Sequence, residues 1–225
     1  MFKLGKLEFE VESAVIDATF SDAGMLVFDL LDKEKKPKIK WYLEIDMEYD
    51  DFVTESAQQE AEEEGEEPFY ESVPPVLYHN NGFRMDVKSW KDLEGMSKTW
   101  ESDNNEDGEE AGYLYVFGHE NVTSGTIEFL KRKGNVFHVK WSGTANVFWD
   151  DEYDEDVPFE FEGDATFRAL LASGVDATNL DDMKIELSKY INMDEFEFES
   201  EKTYPLHSGD EGKKTVHRFN FVPKI

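Results

Sequence analysis

Two neighbouring stretches of alternating apolar and polar residues constrain the fold of this chain more than any other feature. From Phe137 to Trp149, and again from Val157 to Phe167, odd-numbered positions are apolar or glycine and most even-numbered positions are polar. Successive side chains of a strand point to opposite faces of a sheet, so each stretch predicts a strand with one buried face. Together they predict a long central hairpin.

The loop that joins these two predicted strands is strongly acidic. It places six carboxylates in the seven residues from 150 to 156, with one tyrosine among them. Strand connections lie at the surface, so this loop is expected to be exposed. The residues that it offers as a candidate binding site are Asp150, Asp151, Glu152, Tyr153, Asp154, Glu155 and Asp156.

Shorter alternating stretches on both sides of the hairpin extend the β pattern. A change of parity at Glu12 and Ser13 predicts a β-bulge or a break between two strands. Asn81-Gly82, between two apolar runs, predicts a hairpin turn. Ser89 and Gly95 are placed to begin and end a helical turn between them.

One C-terminal segment has the period of a helix. Apolar residues recur there at the spacing i, i+3, i+7 and i+11, and Thr178 and Asp181 have the spacing of a capping box. The sequence therefore predicts a mainly β protein, an antiparallel β-sandwich or two packed β meanders, with one C-terminal helix and acidic loops.

Domain organisation follows from the length and from a weak internal repeat. A chain of 225 residues suits a single compact β domain over residues 1–225. Two related β halves, 1–100 and 101–225, are the alternative, because Ile39-Lys40-Trp41 is echoed 100 residues later by Val139-Lys140-Trp141.

Residues 48–67 interrupt the β pattern with ten carboxylates. Thr54 and Gly65 could delimit a short helix, but only small residues such as Ala57 and Ala61 have helical spacing there. We therefore expect a flexible acidic insert that is mobile or extended.

The formal net charge of -29 bears most directly on partners. A field of that sign repels polyanions, so nucleic acid and anionic membrane surfaces are not expected as partners, whereas basic proteins and divalent cations are. The absence of cysteine excludes disulfides and thiolate chemistry. The first residues enter the alternation without a signal-peptide pattern, which favours a cytoplasmic location.

A second acidic loop resembles the start of a calcium-binding loop. Asp103, Asn105 and Asp107 alternate before Gly108, but the twelfth position of an EF-hand pattern is Leu114 instead of glutamate. A non-helical calcium site formed by Asp103, Asn105, Asp107 and Glu109 is the resulting prediction, with the loop of residues 150–156 as the alternative location. Calcium is the one cofactor that the sequence suggests.

The remaining aromatic and titratable residues give weaker indications. Trp41 and Trp141 have the parity of core residues. Trp90 and Trp100 are the better candidates for exposed residues, although such residues more often pack against a loop. The five histidines show no metal-binding spacing, and His138 is expected to be a surface or hydrogen-bonded residue.

The sequence favours a non-enzymatic acidic protein that binds a basic partner protein, as an inhibitor, an immunity-type neutraliser or an assembly factor. A calcium-binding β domain is the alternative. A hydrolase that uses a carboxylate pair on carbohydrate is a weaker one, because no pair of residues is singled out for it. The sequence does not indicate an oligomeric state.

Overall fold

A computed structural model of the chain describes residues 1–21, 39–48, 50–68, 71–73, 75–79, 82–102, 110–116, 118–147, 155–174, 177–205 and 215–225. The strands of the first half are β1 (Phe2–Leu4), β2 (Leu7–Phe9), β3 (Val11–Ser21), β4 (Lys40–Met47), β5 (Asp50–Phe52), β6 (Glu71–Val73), β7 (Val76–Tyr78) and β8 (Ser97–Trp100). Those of the second half are β9 (Tyr113–Tyr115), β10 (His119–Lys133), β11 (Val136–Ala145), β12 (Val157–Gly174), β13 (Phe196–Pro205) and β14 (Thr215–Pro223). The helices are α1 (Glu55–Glu64) and α2 (Leu180–Leu187).

Twelve of these strands form one large sheet, which confirms the prediction of a mainly β fold. Neighbouring pairs run from β11 through β10, β9, β7, β4 and β3 to β12, and β12 pairs in turn with β11. The pairing therefore returns to its starting strand and encloses an apolar interior. Strands β5 and β6 form a separate two-stranded sheet.

The 18-residue strand β12 pairs with different strands along its two halves. Its first half pairs with β11 and β1, and its second half pairs with β3 and β14. The pair β3–β12 is parallel, whereas the other pairings between the described strands are antiparallel. The predicted central hairpin is confirmed, with Val136 opposite Thr166 and Ala145 opposite Val157.

The interior is filled mainly by aromatic side chains. Trp41 and Trp141 are fully buried, as their parity predicted. Trp90 and Trp100 are also buried, so their interpretation as exposed residues is wrong. Trp90 lies in a 3-10 turn, and its ring stacks on that of Phe167 at a centroid distance of 5.3 Å. Aromatic pairs of this kind contribute about 0.5–1.5 kcal/mol beyond the area that they bury.

The parity change near the N-terminus is a β-bulge, as predicted. The register between β3 and β4 shifts between Val11 and Ser13, after which Ala14, Ile16 and Ala18 face the interior. An extra residue on one strand moves all later side chains to the opposite face, which is why the apolar parity changes there.

Residues 55–64 form a helix, so the prediction of an extended insert is wrong over this stretch. The Thr54 hydroxyl accepts a hydrogen bond from the backbone of Ala57, and Gly65 ends the helix in the left-handed conformation. Ala61 is buried although the helix has no large apolar side chain on that face. Capping, which contributes about 1 kcal/mol, thus stabilises a helix that has few apolar side chains to pack against the rest of the protein. The flexibility of the insert stays a prediction.

The segments on either side of Asn81-Gly82 do not pair with each other as the predicted hairpin requires, and Asn81 itself lies outside the described residues. Tyr78 lies opposite Glu44, and Phe83 lies opposite Trp41, so the chain continues along the same edge of β4 on both sides of Gly82. Gly82 has a φ of 67°, and a Cβ there would lie 2.7 Å from the Tyr42 ring. The glycine is required for a close approach to β4 and not for a reversal of the chain.

The C-terminal helix and the helical turn at Ser89 are both present. Helix α2 buries Met183 and Leu187, but its capping residue is Asn179 instead of the predicted Thr178. The Asn179 side chain accepts a hydrogen bond from the backbone of Asp182. Ser89 caps the 3-10 turn Trp90–Leu93 by accepting from the backbone of Lys91, as predicted. No helix in the described part of the chain is long and apolar enough to cross a membrane.

Candidate functional site

The candidate site lies on the outer face of the central hairpin. Along β12, Phe159, Phe161 and Ala165 point into the core, so the residues between them point outward. Three of these outward residues are carboxylates, Glu160, Glu162 and Asp164, and Glu128 on β10 lies on the same surface. We call these four residues the acidic sheet face. The side chains of Glu160 and Glu162 are each 50% exposed, and that of Asp164 is 71% exposed.

Lys140 on β11 lies within the acidic sheet face. Its Nζ is 3.1 Å from Glu160 Oε1, and its backbone is opposite Glu162 on one side and Glu128 on the other. The hydrogen bond to Glu160 and the charges of the neighbouring carboxylates raise the pKa of Lys140. One lysine stands against four carboxylates, so the surface remains strongly negative.

His138 is the second basic group beside these carboxylates. Its Nδ1 lies 2.9 Å from Asp164 Oδ1, and its Nε2 lies 3.3 Å from Glu162 Oε1. The hydrogen bonds to Asp164 and then to Glu162 raise the pKa of the imidazole. The prediction of a hydrogen-bonded surface histidine is confirmed.

A chain of hydroxyl groups connects the hairpin to the end of the acidic loop. The Thr123 hydroxyl donates to Asp156 Oδ1 at 2.7 Å and lies 2.7 Å from the Thr144 hydroxyl, which is 2.7 Å from that of Ser124. Each hydroxyl has one proton, so Ser124 donates to Thr144 and Thr144 donates to Thr123.

Asp156 is also fixed through its backbone. Its amide donates to Asn146 Oδ1 at 3.1 Å, and its φ of 56° lies in the left-handed region. Aspartate tolerates this conformation better than most residues because its short side chain can bond locally. The last residue of the predicted binding loop is therefore a structural anchor at the base of the loop.

The structure describes only part of the predicted binding residues. Glu155 and Asp156 are exposed, as expected for a loop at a strand connection. Asp150, Asp151, Glu152, Tyr153 and Asp154 lie outside the described residues, as do the predicted calcium ligands Asp103, Asn105, Asp107 and Glu109. Within the described ranges, no group of three or more His, Cys, Asp or Glu side chains is arranged to hold a metal ion.

The carboxylates of β12 are not among the site residues predicted from the sequence. The alternation places Glu160, Glu162 and Asp164 on the polar face of a strand, whereas the predicted binding residues lie in the loop. The available signal was the repetition of one charge at every second position, which places the carboxylates on one surface about 7 Å apart. The register that adds Glu128 could not be read from the sequence.

A second group of carboxylates lies on the other part of the sheet. Asp17 on β3 is paired with Arg168 on β12, and Arg168 Nε donates to Asp17 Oδ1 at 3.1 Å. Burial, together with the negative charge of Asp46, raises the pKa of Glu44 on β4. Arg168 compensates part of the negative charge of this second group.

The buried histidine in the interior is His79. Its ring stacks on Trp141 at a centroid distance of 4.6 Å and lies 5.0 Å from that of Trp100. Burial lowers the pKa of His79 to about 3, partly offset by a hydrogen bond to the backbone of Glu110. The imidazole is therefore neutral at physiological pH and acts as part of the core.

Comparison of the chain with protein-family models, with curated proteins and with solved structures finds no match.

Proposed function

We propose that this protein is a non-enzymatic acidic binding protein that engages a basic protein partner through the acidic sheet face and the adjoining loop 150–156. An inhibitor, an immunity-type neutraliser and an assembly factor would all use such a surface, and a cytoplasmic location is part of the same proposal. The observation that carries it is the row of Glu160, Glu162 and Asp164 along one face of β12.

Electrostatics gives the physical reason. Carboxylates about 7 Å apart on one strand repel one another, and the hydrogen bonds of Lys140 and His138 leave part of this repulsion uncompensated. A cationic partner surface removes this repulsion when it binds. The same field accelerates the encounter, because charge complementarity raises association rates more than it raises affinity.

Rigidity supports the same proposal. The carboxylates lie on a hairpin whose inner face is packed by Trp141, Phe159 and Phe161 in the core. The ring of Trp141 meets that of Phe159 edge to face at 6.0 Å. A pre-organised surface loses little conformational entropy on binding, so more of the interaction free energy is available for affinity.

Tyr153 is the proposed apolar anchor of the interface. Charged groups at the rim of an interface contribute little each, whereas a buried aromatic residue often contributes 2 kcal/mol or more. The loop residues Asp150, Asp151 and Asp154 would then guide a basic surface toward this tyrosine. The binding test therefore includes a variant in which these loop residues are replaced.

The test compares two variants with the same change of charge. Glu160→Gln, Glu162→Gln and Asp164→Asn together neutralise the acidic sheet face. Glu62→Gln, Glu63→Gln and Glu64→Gln neutralise three exposed residues of α1 and serve as the matched control. Binding of a short lysine-rich peptide is measured by calorimetry over a range of salt concentrations.

We expect the sheet-face variant to bind the peptide at least about tenfold more weakly than the α1 variant, with a shallower salt dependence. A third variant, in which Asp150, Asp151, Asp154 and Asp156 become Asn and Tyr153 becomes Ala, is expected to lose binding as well. Equal affinities of the sheet-face and α1 variants would show that the peptide responds only to net charge and would contradict the proposal.

A further inference from the structure

We propose that His138 is a pH-dependent clasp that holds Glu162 and Asp164 together and competes with a basic partner for them. This regulation rests on the proposed function, since it concerns access to the acidic sheet face. When His138 is protonated the clasp is closed, and when it loses its proton at least one of the two carboxylates is released to the partner.

The geometry requires a charged imidazole. Both ring nitrogens of His138 lie within hydrogen-bonding distance of a carboxylate oxygen, Nδ1 at Asp164 and Nε2 at Glu162. A neutral imidazole carries a proton on only one nitrogen, so one contact would place a lone pair against a carboxylate oxygen. Only the imidazolium can donate to both groups at once.

The clasp joins two strands at a defined point. His138 is opposite Asp164 in the register of β11 and β12, and Glu162 is opposite Lys140, the next outward residue of β11. The imidazolium therefore spans two successive carboxylates of β12. When it loses its proton, at least one of the two contacts is no longer favourable, and that carboxylate is free to turn outward.

Other charged groups near His138 lie on its own strand, β11, and on the two strands that flank it, β10 and β12. On β12 they are Glu162 and Asp164, and on β11 the nearest is Lys140. On β10, the register shift between Phe129 and Arg132 places Leu130 and Lys131 opposite His138, with Glu128 further along. Lys131 and Lys140 disfavour a further positive charge, whereas the carboxylates in direct contact favour it.

The direction of the titration agrees with the geometry. The hydrogen bonds to Asp164 and Glu162 raise the pKa of His138 above its usual value near 6.5. The closed clasp is thus fully formed below about pH 6.5 and opens as the pH rises through the higher pKa of the folded protein. Lysine and arginine side chains of a partner have much higher pKa values and remain charged when His138 loses its proton.

The consequence for binding is a pH dependence of defined sign. At low pH the imidazolium neutralises part of the acidic sheet face and occupies the two carboxylates that a partner would use. At high pH the positive charge of the imidazolium is lost and at least one of the two carboxylates is free. We expect the affinity for a lysine-rich peptide to rise about two- to fivefold between about pH 5.5 and about pH 8.5, the range of the free energy of an exposed charge pair.

The experiment follows peptide binding by the full chain at these two pH values for three proteins: wild type, His138→Gln and the control His217→Gln. His217 also contacts a carboxylate, with Nδ1 2.9 Å from Glu201 Oε1, but it lies on β14 away from the acidic sheet face. Wild type and His217→Gln are expected to show the increase, and His138→Gln is expected to bind with nearly the same affinity at both pH values.

Two further results separate the inference from the proposed function. If no protein binds the peptide at either pH, the proposed function fails. If wild type and His138→Gln show the same pH dependence, the proposed function stands and the clasp is wrong. An NMR titration of the His138 ring provides a readout without peptide: the pKa should fall when Glu162→Gln and Asp164→Asn are introduced, and an unchanged pKa would overturn the clasp.

Discussion

Replacing Gly143 by alanine should destabilise the hairpin that carries the acidic sheet face. Gly143 on β11 is opposite Gly125 on β10, and the two strands approach each other closely there. A Cβ at position 143 would overlap the carbonyl oxygen of Ser124, lie 2.8 Å from the Gly125 Cα and lie 3.0 Å from the Phe159 ring. Two of these three neighbours are backbone atoms, which cannot move without a shift of the whole strand.

The expected loss of stability combines two effects. Overpacking of a well-packed region costs about 1–3 kcal/mol. A shift of β10 away from β11 also weakens backbone hydrogen bonds, each with a net contribution of about 1 kcal/mol. We therefore expect Gly143→Ala to lower the free energy of unfolding by about 3 kcal/mol. For a chain of this length, that corresponds to a decrease in Tm of about 6–12 °C.

Urea unfolding followed by tryptophan fluorescence measures this loss. Ser142→Ala, at the adjacent outward position, is one control and should change the stability by less than about 0.5 kcal/mol. Gly163→Ala is a graded comparison, because its Cβ would meet only the Phe161 side chain, at 3.1 Å, and that ring can move slightly. A stability of Gly143→Ala within about 0.5 kcal/mol of wild type would refute the close approach of β10 and β11.

Three further predictions concern the interior and the loops. Because the pKa of His79 is lowered to about 3, the unfolded state binds a proton between about pH 6.5 and about pH 3 that the folded state does not. The free energy of unfolding should therefore fall by about 1.4 kcal/mol per pH unit as the pH drops through that range. Acid unfolding of His79→Phe should lack this component, and identical pH profiles of the two proteins would contradict the prediction. Asp156→Ala should cost about 1 kcal/mol more than Asp156→Gly in chemical denaturation, because only alanine is strained at a φ of 56°; equal losses would indicate another backbone conformation. If Asp103, Asn105, Asp107 and Glu109 bind calcium, about 1 mM calcium should raise the Tm of wild type but not of Asp103→Asn with Asp107→Asn, and an unchanged wild-type Tm would dispose of the site.

The strands were predictable where alternation was long and unbroken. The central hairpin and the bulge at Ser13 follow from parity alone, since one misplaced residue would turn every later apolar side chain to water. The burial of Trp90 was not predictable in this way. It lies outside any alternating stretch, and its position depends on a 3-10 turn that stacks its ring on Phe167.

At two places a local sequence signal did not determine the structure, because a tertiary contact or a competing local signal had the larger effect. Asn81-Gly82 is a strong hairpin signal, but Gly82 is used for its close contact with Trp41 and Tyr42. In residues 55–64, the caps at Thr54 and Gly65 and the hydrogen bonds from Gln58 to Glu62 and from Gln59 to Glu63 stabilise a helix that the apolar pattern did not support.

The candidate site was predictable in its charge but not in its assembly. The sequence places carboxylates at three alternate positions of β12, 160, 162 and 164, which is sufficient to put them on one surface. The contact of His138 with both Glu162 and Asp164 depends on the pairing of β11 with β12 and on side-chain conformations. Neither can be obtained from spacing alone, because a shift of one residue would move the histidine to the opposite face.

The parallel pairing of β3 with β12 has a consequence for how the chain folds. Val15 is opposite Thr166, so this edge of β3 is covered only after β12, about 150 residues later in the chain, has paired with it. Contacts between residues so distant in sequence make folding slow, because a long loop must close before they form. During synthesis, β3 leaves the ribosome well before its partner, so this edge stays open to other chains until the second half of the protein has been made.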